Sequence, residues 1–85
     1  MQIYIYFPSP LPQPRSEIED DLDEMLGDDG EVTGGGAGTT GANIDIEIFE
    51  GDPHDYLERI RSILKGHNVA DDTYIVIGEN THFLM

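Results

Sequence analysis

Apolar and acidic side chains alternate with period two over Asn43 to Glu50, Asn-Ile-Asp-Ile-Glu-Ile-Phe-Glu. Successive side chains of a strand leave on opposite sides of the sheet, so Ile44, Ile46 and Ile48 share one face while Asp45, Glu47 and Phe49 share the other. A slip of one residue would bury carboxylates and expose the isoleucines, which specifies the register strongly. The β-rich runs Gln2–Phe7 and Thr73–Ile77 predict two further strands, and Glu31–Thr33 a short one.

Helical spacing occurs twice. Ile18, Leu22, Met25 and Leu26 form one stripe, with Ser16 and Glu19 reading as a capping box and Gly27 as the stop. Tyr56, Leu57, Ile60, Ile63 and Leu64 form the second, opened by Asp52-Pro53. Arg59, Arg61 and Lys65 lie toward its end, where cations suit the helix dipole, and Gly66 reads as its stop.

The connections differ in stiffness. Pro8, Pro10, Pro12 and Pro14 make 8–14 a proline-rich loop, without the three-residue spacing of a P-x-x-P ligand. Glycine dominates 34–42, which is expected to be a flexible hairpin loop. Within it, Gly36 to Gly41 spells G-x-G-x-x-G, yet a strand follows where a dinucleotide site needs a helix N-terminus. The tail Phe83-Leu84-Met85 either continues the last strand, folds back from Glu79-Asn80 as a fifth, or reaches onto a partner.

The resulting order, strand-helix-strand-strand-helix-strand, predicts a ferredoxin-like α+β domain: an antiparallel sheet with both helices on one face and the first and third strands at its centre. Ile3, Ile5, Phe7, Ile44, Ile46, Ile48, Ile75 and Ile77 are expected beneath the helices. Tyr4, Tyr6, Asp45, Glu47, Phe49, Tyr74 and Val76 then occupy a face for which no helix remains.

Length and charge narrow the picture. At 85 residues the chain is read as a single domain, 1–85, with one core. A hydrophobic content of 38% and a net charge of −14 put it within reach of folded chains, near the acidic extreme. Cysteine is absent from the sequence, which excludes disulfides and thiolate chemistry. With no long apolar run and no basic segment ahead of one, a soluble, cytoplasmic protein without membrane association is expected.

Nine of the eighteen acids lie between Glu17 and Glu31. Like-charged neighbours four apart, Glu17 with Asp21 and Asp20 with Glu24, each cost the helix ~0.2–0.5 kcal/mol, so local helix stability did not select this face. Salt adaptation is one alternative explanation, since screening relieves such repulsion.

Candidate catalytic chemistry is sparse. His54, His67 and His82 lack the i, i+4 spacing that would put two on one helical face, and the acids of Asp28-Asp29-Gly30-Glu31 do not alternate as a calcium loop requires. No metal, nucleotide or other cofactor is expected, and an enzyme is the weaker reading. Tyrosines on central strands suggest base stacking on RNA, but carboxylates beside them would repel phosphates, so no nucleic-acid partner is expected. Aromatics flanked by acids suit a basic protein partner instead. The residues assigned to it are Tyr4, Tyr6, Asp45, Glu47 and Phe49 on the sheet and Asp20, Asp23 and Glu24 on the first helix. The competing readings are a homodimer through the sheet face and tyrosines that merely cover the sheet.

The run Gly30 to Gly36, followed by Asn43 to Ile48 and a helix, resembles small acidic bacterial proteins that serve as immunity partners of toxins, over about residues 15–77. That resemblance implies a binding protein that neutralises a basic toxin such as a nuclease, and it carries over no catalytic residues.

Overall fold

Ile3, Ile5 and Phe7 alternate with Gln2, Tyr4 and Tyr6 along β1 (Gln2–Phe7), and this strand lies at the centre of the sheet. The structure, a computed structural model, describes residues 1–38 and 41–84. After β1 come α1 (Arg15–Leu26), β2 (Gly30–Gly38), β3 (Gly41–Ile48), a 3-10 turn (Pro53–Tyr56) running into α2 (Leu57–Gly66), β4 (Tyr74–Ile77) and β5 (Asn80–Phe83). All pairings are antiparallel, in the order β2-β3-β1-β4-β5. The fold is therefore α+β, with five strands where four were expected: of the alternatives for the tail, the chain folds back, and β5 pairs with β4 at the edge. Met85 lies outside the described residues.

Register follows the isoleucines. Ile3 faces Ile46 and Ile77 across its two neighbours, and Ile5 faces Ile44 and Ile75, which aligns the apolar positions of three strands on one face. Ile18, Leu22 and Leu26 of α1 and Leu57, Ile60 and Leu64 of α2 close over them in one cluster. Burying a large aliphatic side chain is worth ~1.5–3 kcal/mol, so this layer supplies the main drive to fold. Tyr56, Val69 and Leu84 complete it.

Several local expectations are corrected. The glycine-rich segment is strand through Gly38, with Gly34 opposite Asp45, Gly35 opposite Ile44 and Gly36 opposite Asn43. Thr39 and Thr40, at the tip of the expected 34–42 loop and inside the G-x-G-x-x-G run, lie outside the described residues. Glycine has no side chain to show a period, yet its amide and carbonyl pair like any other residue's. At Gly35 the strands approach so closely that a Cβ would sit 2.5 Å from the carbonyl oxygen of Asn43. The register shifts between Val32 and Gly34, a bulge in this edge strand.

The helix ends also differ. Ser16 lies inside α1, which begins a residue earlier: Pro14 is the N-cap, its carbonyl accepts from the Glu17 amide at 3.1 Å, and among the described residues no side chain caps the helix. Asp52 does cap the 3-10 turn, accepting from the His54 amide at 2.9 Å. α2 runs through Gly66, and the left-handed residue beyond it is Asn68, a residue type that tolerates that conformation.

Candidate aromatic and acidic sheet face

The face of the sheet opposite the helices is built by the same alternation that builds the core. From β1 it takes Gln2, Tyr4 and Tyr6, from β3 Asn43, Asp45 and Glu47, and from β4 Tyr74 and Val76, all half-buried. Among the described residues no helix covers it.

The aromatics form a row. Tyr4 and Tyr6 have ring centroids 6.4 Å apart, Tyr6 stacks on Tyr74 of the neighbouring strand at 5.1 Å, and Tyr74 meets Phe83 of β5 at 6.2 Å. Register places them there, since Tyr6 pairs with Tyr74 and Tyr74 with Phe83. Phe83 had no assigned place on this face, because its position depends on the β4–β5 hairpin. Phe49, which was assigned to it, follows the end of β3 and is 55% exposed, and none of the aromatic pairs of the row includes it.

The acids flank the row on one side. Asp45 lies opposite Tyr4 and accepts from the Asn43 side-chain amide at 3.1 Å. Glu47 accepts from Gln2 Nε2 at 2.9 Å, with the amino group of Met1 3.3 Å away. Glu31 on β2 pairs with Glu47, so two like charges face each other across the strands. The face thus grades from carboxylates on β2 and β3 to rings on β1, β4 and β5.

An open cleft of about 290 Å³ lies at one end of this face, lined by Tyr6, Phe7, Pro8, Gly41, Ala42, Asn43 and Tyr74. Its walls come from the strand ends where β1, β3 and β4 meet. The tyrosine rings offer flat apolar surface and the Asn43 side chain a polar edge.

The assigned acids of α1 stand elsewhere, because α1 packs on the isoleucine face. Asp20 and Glu24 are exposed. Asp23 is engaged in holding the fold together, since its Oδ1 accepts from the Val32 amide of edge strand β2 at 2.8 Å. The expected partner-binding residues therefore fall on two separate surfaces.

The fold brings together two histidines that the sequence spaces far apart. His54 and His82 meet edge to face at 5.5 Å, and His54 Nδ1 lies 2.9 Å from Asp52 Oδ1. The backbone amide of His54, then its ring, hold the Asp52 carboxyl below its usual value. His82 Nε2 is buried and unpartnered among the described residues. The third histidine, His67, contacts Gln13 through Nδ1 and Asp21 through Nε2 at 2.6 Å, pinning the proline-rich segment and α1 to the end of α2. Among the described residues no group of three or more His, Cys, Asp or Glu side chains is placed to hold a metal ion, and no helix is long and apolar enough to cross a membrane.

Comparison with known proteins finds no matching family model, no matching curated protein and no matching solved structure.

Proposed function

We propose that this chain is a small acidic protein-binding domain whose uncovered sheet face docks a basic partner, such as a nuclease toxin that it neutralises in the cytoplasm. The observation that carries the reading is the row Tyr4-Tyr6-Tyr74-Phe83 running beside Asp45 and Glu47 on a face without helices. Rings supply contact area at low entropic cost, and carboxylates select cationic surfaces and repel nucleic acid. Within this reading β1 to β4 form the ferredoxin-like arrangement, with β5 added beside β4 to extend the row, and the domain carries out no chemistry of its own.

The net charge of −14 adds a long-range term, giving fast association that slows as salt screens the field. It also opposes a face-to-face homodimer, which would bring two acidic sheets together. Copurification from the native host, with captured proteins identified by mass spectrometry, tests the reading: a basic nuclease or nucleic-acid-binding protein is expected. Reversing Asp45 and Glu47 to lysine should weaken that capture about tenfold while leaving the circular dichroism spectrum intact. Capture that ignores both the reversal and salt would remove the sheet face as the docking surface.

A further inference from the structure

We infer that the cleft at the end of the sheet face receives an arginine side chain of the docked partner; this rests on the docking reading above and specifies its anchor. A guanidinium is flat, carries its charge over the whole plane and presents five N–H donors in a fixed fork, so it gains most where an aromatic face and oxygen acceptors meet. The cleft supplies both. Tyr6 and Tyr74 stack at 5.1 Å with their planes only 27° apart, so each covers one face of the other and Tyr6 keeps its opposite face on the β3 side. Asn43, paired with Tyr6 across the strands, lines the same cleft. Its Nδ2 donates to Asp45 Oδ1 at 3.1 Å, which orients the amide and leaves Oδ1 of Asn43 as an acceptor. That hydrogen bond also ties the cleft to the Asp45 carboxylate, the nearest assigned acid in register.

The fit excludes other anchors on physical grounds. A carboxylate or phosphate would meet a wall with no cation, since the basic residues Arg15, Arg59, Arg61 and Lys65 are absent from the cleft's lining. A purely apolar anchor would leave the Asn43 amide oxygen without a donor. A lysine is attracted by the same field, but its compact, strongly hydrated ammonium neither stacks nor spans two acceptors. The partner segment is therefore one that presents arginine in preference to lysine.

The test is a titration of the isotope-labelled protein with the peptides Gly-Arg-Gly-Arg-Gly and Gly-Lys-Gly-Lys-Gly at low salt, followed by NMR of the tyrosine rings and the Asn43 side-chain amide. The arginine peptide is expected to shift Tyr6, Tyr74 and Asn43 and to bind about two- to fivefold more tightly than the lysine peptide, the scale of an exposed cation–aromatic contact. Tyr74→Leu, which keeps an apolar side chain there, should abolish that preference without unfolding the sheet. Equal affinities, with shifts on the sheet face at Asp45 and Glu47, would overturn the arginine cleft and leave docking of that face by general charge attraction standing. If neither peptide perturbs the sheet face, the cleft and the docking reading fall together.

Discussion

The carboxylate of Asp23 on α1 accepts a 2.8 Å hydrogen bond from the backbone amide of Val32 on β2, so a helix acid closes a donor that the sheet edge leaves open. Edge strands expose amides and carbonyls that invite pairing with other chains, and a short carboxylate placed on one of them blunts the edge.

Asp23→Ala should therefore cost about 1 kcal/mol, the net worth of a hydrogen bond of this kind at an exposed site. Glu24→Ala, at an exposed neighbour with no such contact, should be neutral or slightly stabilising, because it relieves repulsion from Asp20. Urea midpoints of the two variants check the contrast. Equal effects would show that Asp23 acts only as charge.

The glycines of β2 give a second contrast. A Cβ at Gly35 would meet the carbonyl oxygen of Asn43 at 2.5 Å, whereas one at Gly38 meets nothing within 4 Å among the described residues. Gly35→Ala should force β2 and β3 apart and destabilise the fold by about 1–3 kcal/mol, in the range of overpacking. Gly38→Ala should stabilise it by ~0.4–1 kcal/mol, through the lost freedom of the unfolded chain. Thermal melts of the pair measure both signs.

These contrasts show where the sequence was legible. The isoleucines of β1 and β3 reveal their faces because polar or phenolic residues stand between them, and that pattern also specifies the register; in β4 the residue between Ile75 and Ile77 is Val76, and pairing with β1 assigns the face. Gly34 to Gly38 carry no such signal, so a paired strand looks like a loop. Asp23 looks like one surface acid among many, because its hydrogen bond depends on where α1 crosses the edge of β2. Phe83 joins the aromatic row, and His82 meets His54, only because the chain reverses at Gly78-Glu79 to form β5. Local alternation can be read residue by residue, whereas contacts between distant elements need the topology.

Acid and alkali should act at different residues. The His54 amide and ring hold the Asp52 carboxyl below its usual value, so Asp52 contributes stability above the ordinary carboxylate pKa, near ~4, that is lost as pH falls through the lowered folded value. Burial in the core, and then the Asp29 carboxylate, push the Tyr56 phenol up. The fold therefore favours the neutral phenol, and that contribution is complete below the ordinary pKa near ~10 and lost as pH rises through the raised one. Asp52→Asn should flatten the acid limb of a stability–pH profile and Tyr56→Phe the alkaline limb, each without changing the other.

Salt separates recognition from adaptation. With a Debye length of ~8 Å at physiological ionic strength, most repulsion between exposed carboxylates is already screened by ~0.2 M. A domain whose acids serve docking should gain melting temperature up to that point and then level off. A continued climb to molar salt would mark the acidity as salt adaptation and weaken the docking proposal.

Glu31 and Glu47 offer the sharpest test of whether the acids are kept for a partner, because they face each other as like charges across β2 and β3. Such cross-strand pairs are destabilising, and an opposite-charge pair contributes roughly 0.2–1 kcal/mol. Glu31→Lys should therefore raise the stability of the free domain by about 0.5 kcal/mol, since Glu47 would gain a cation in place of a repelling carboxylate. The same substitution lowers the negative field over the acidic half of the face, so association with a basic partner should slow, most visibly at low salt. A more stable but slower-binding variant means that the repulsion is tolerated in the free domain for the sake of the complex. Stopped-flow association rates and urea midpoints measured on the same variant decide this, and a gain in stability with no change in association would place the acids outside the binding surface.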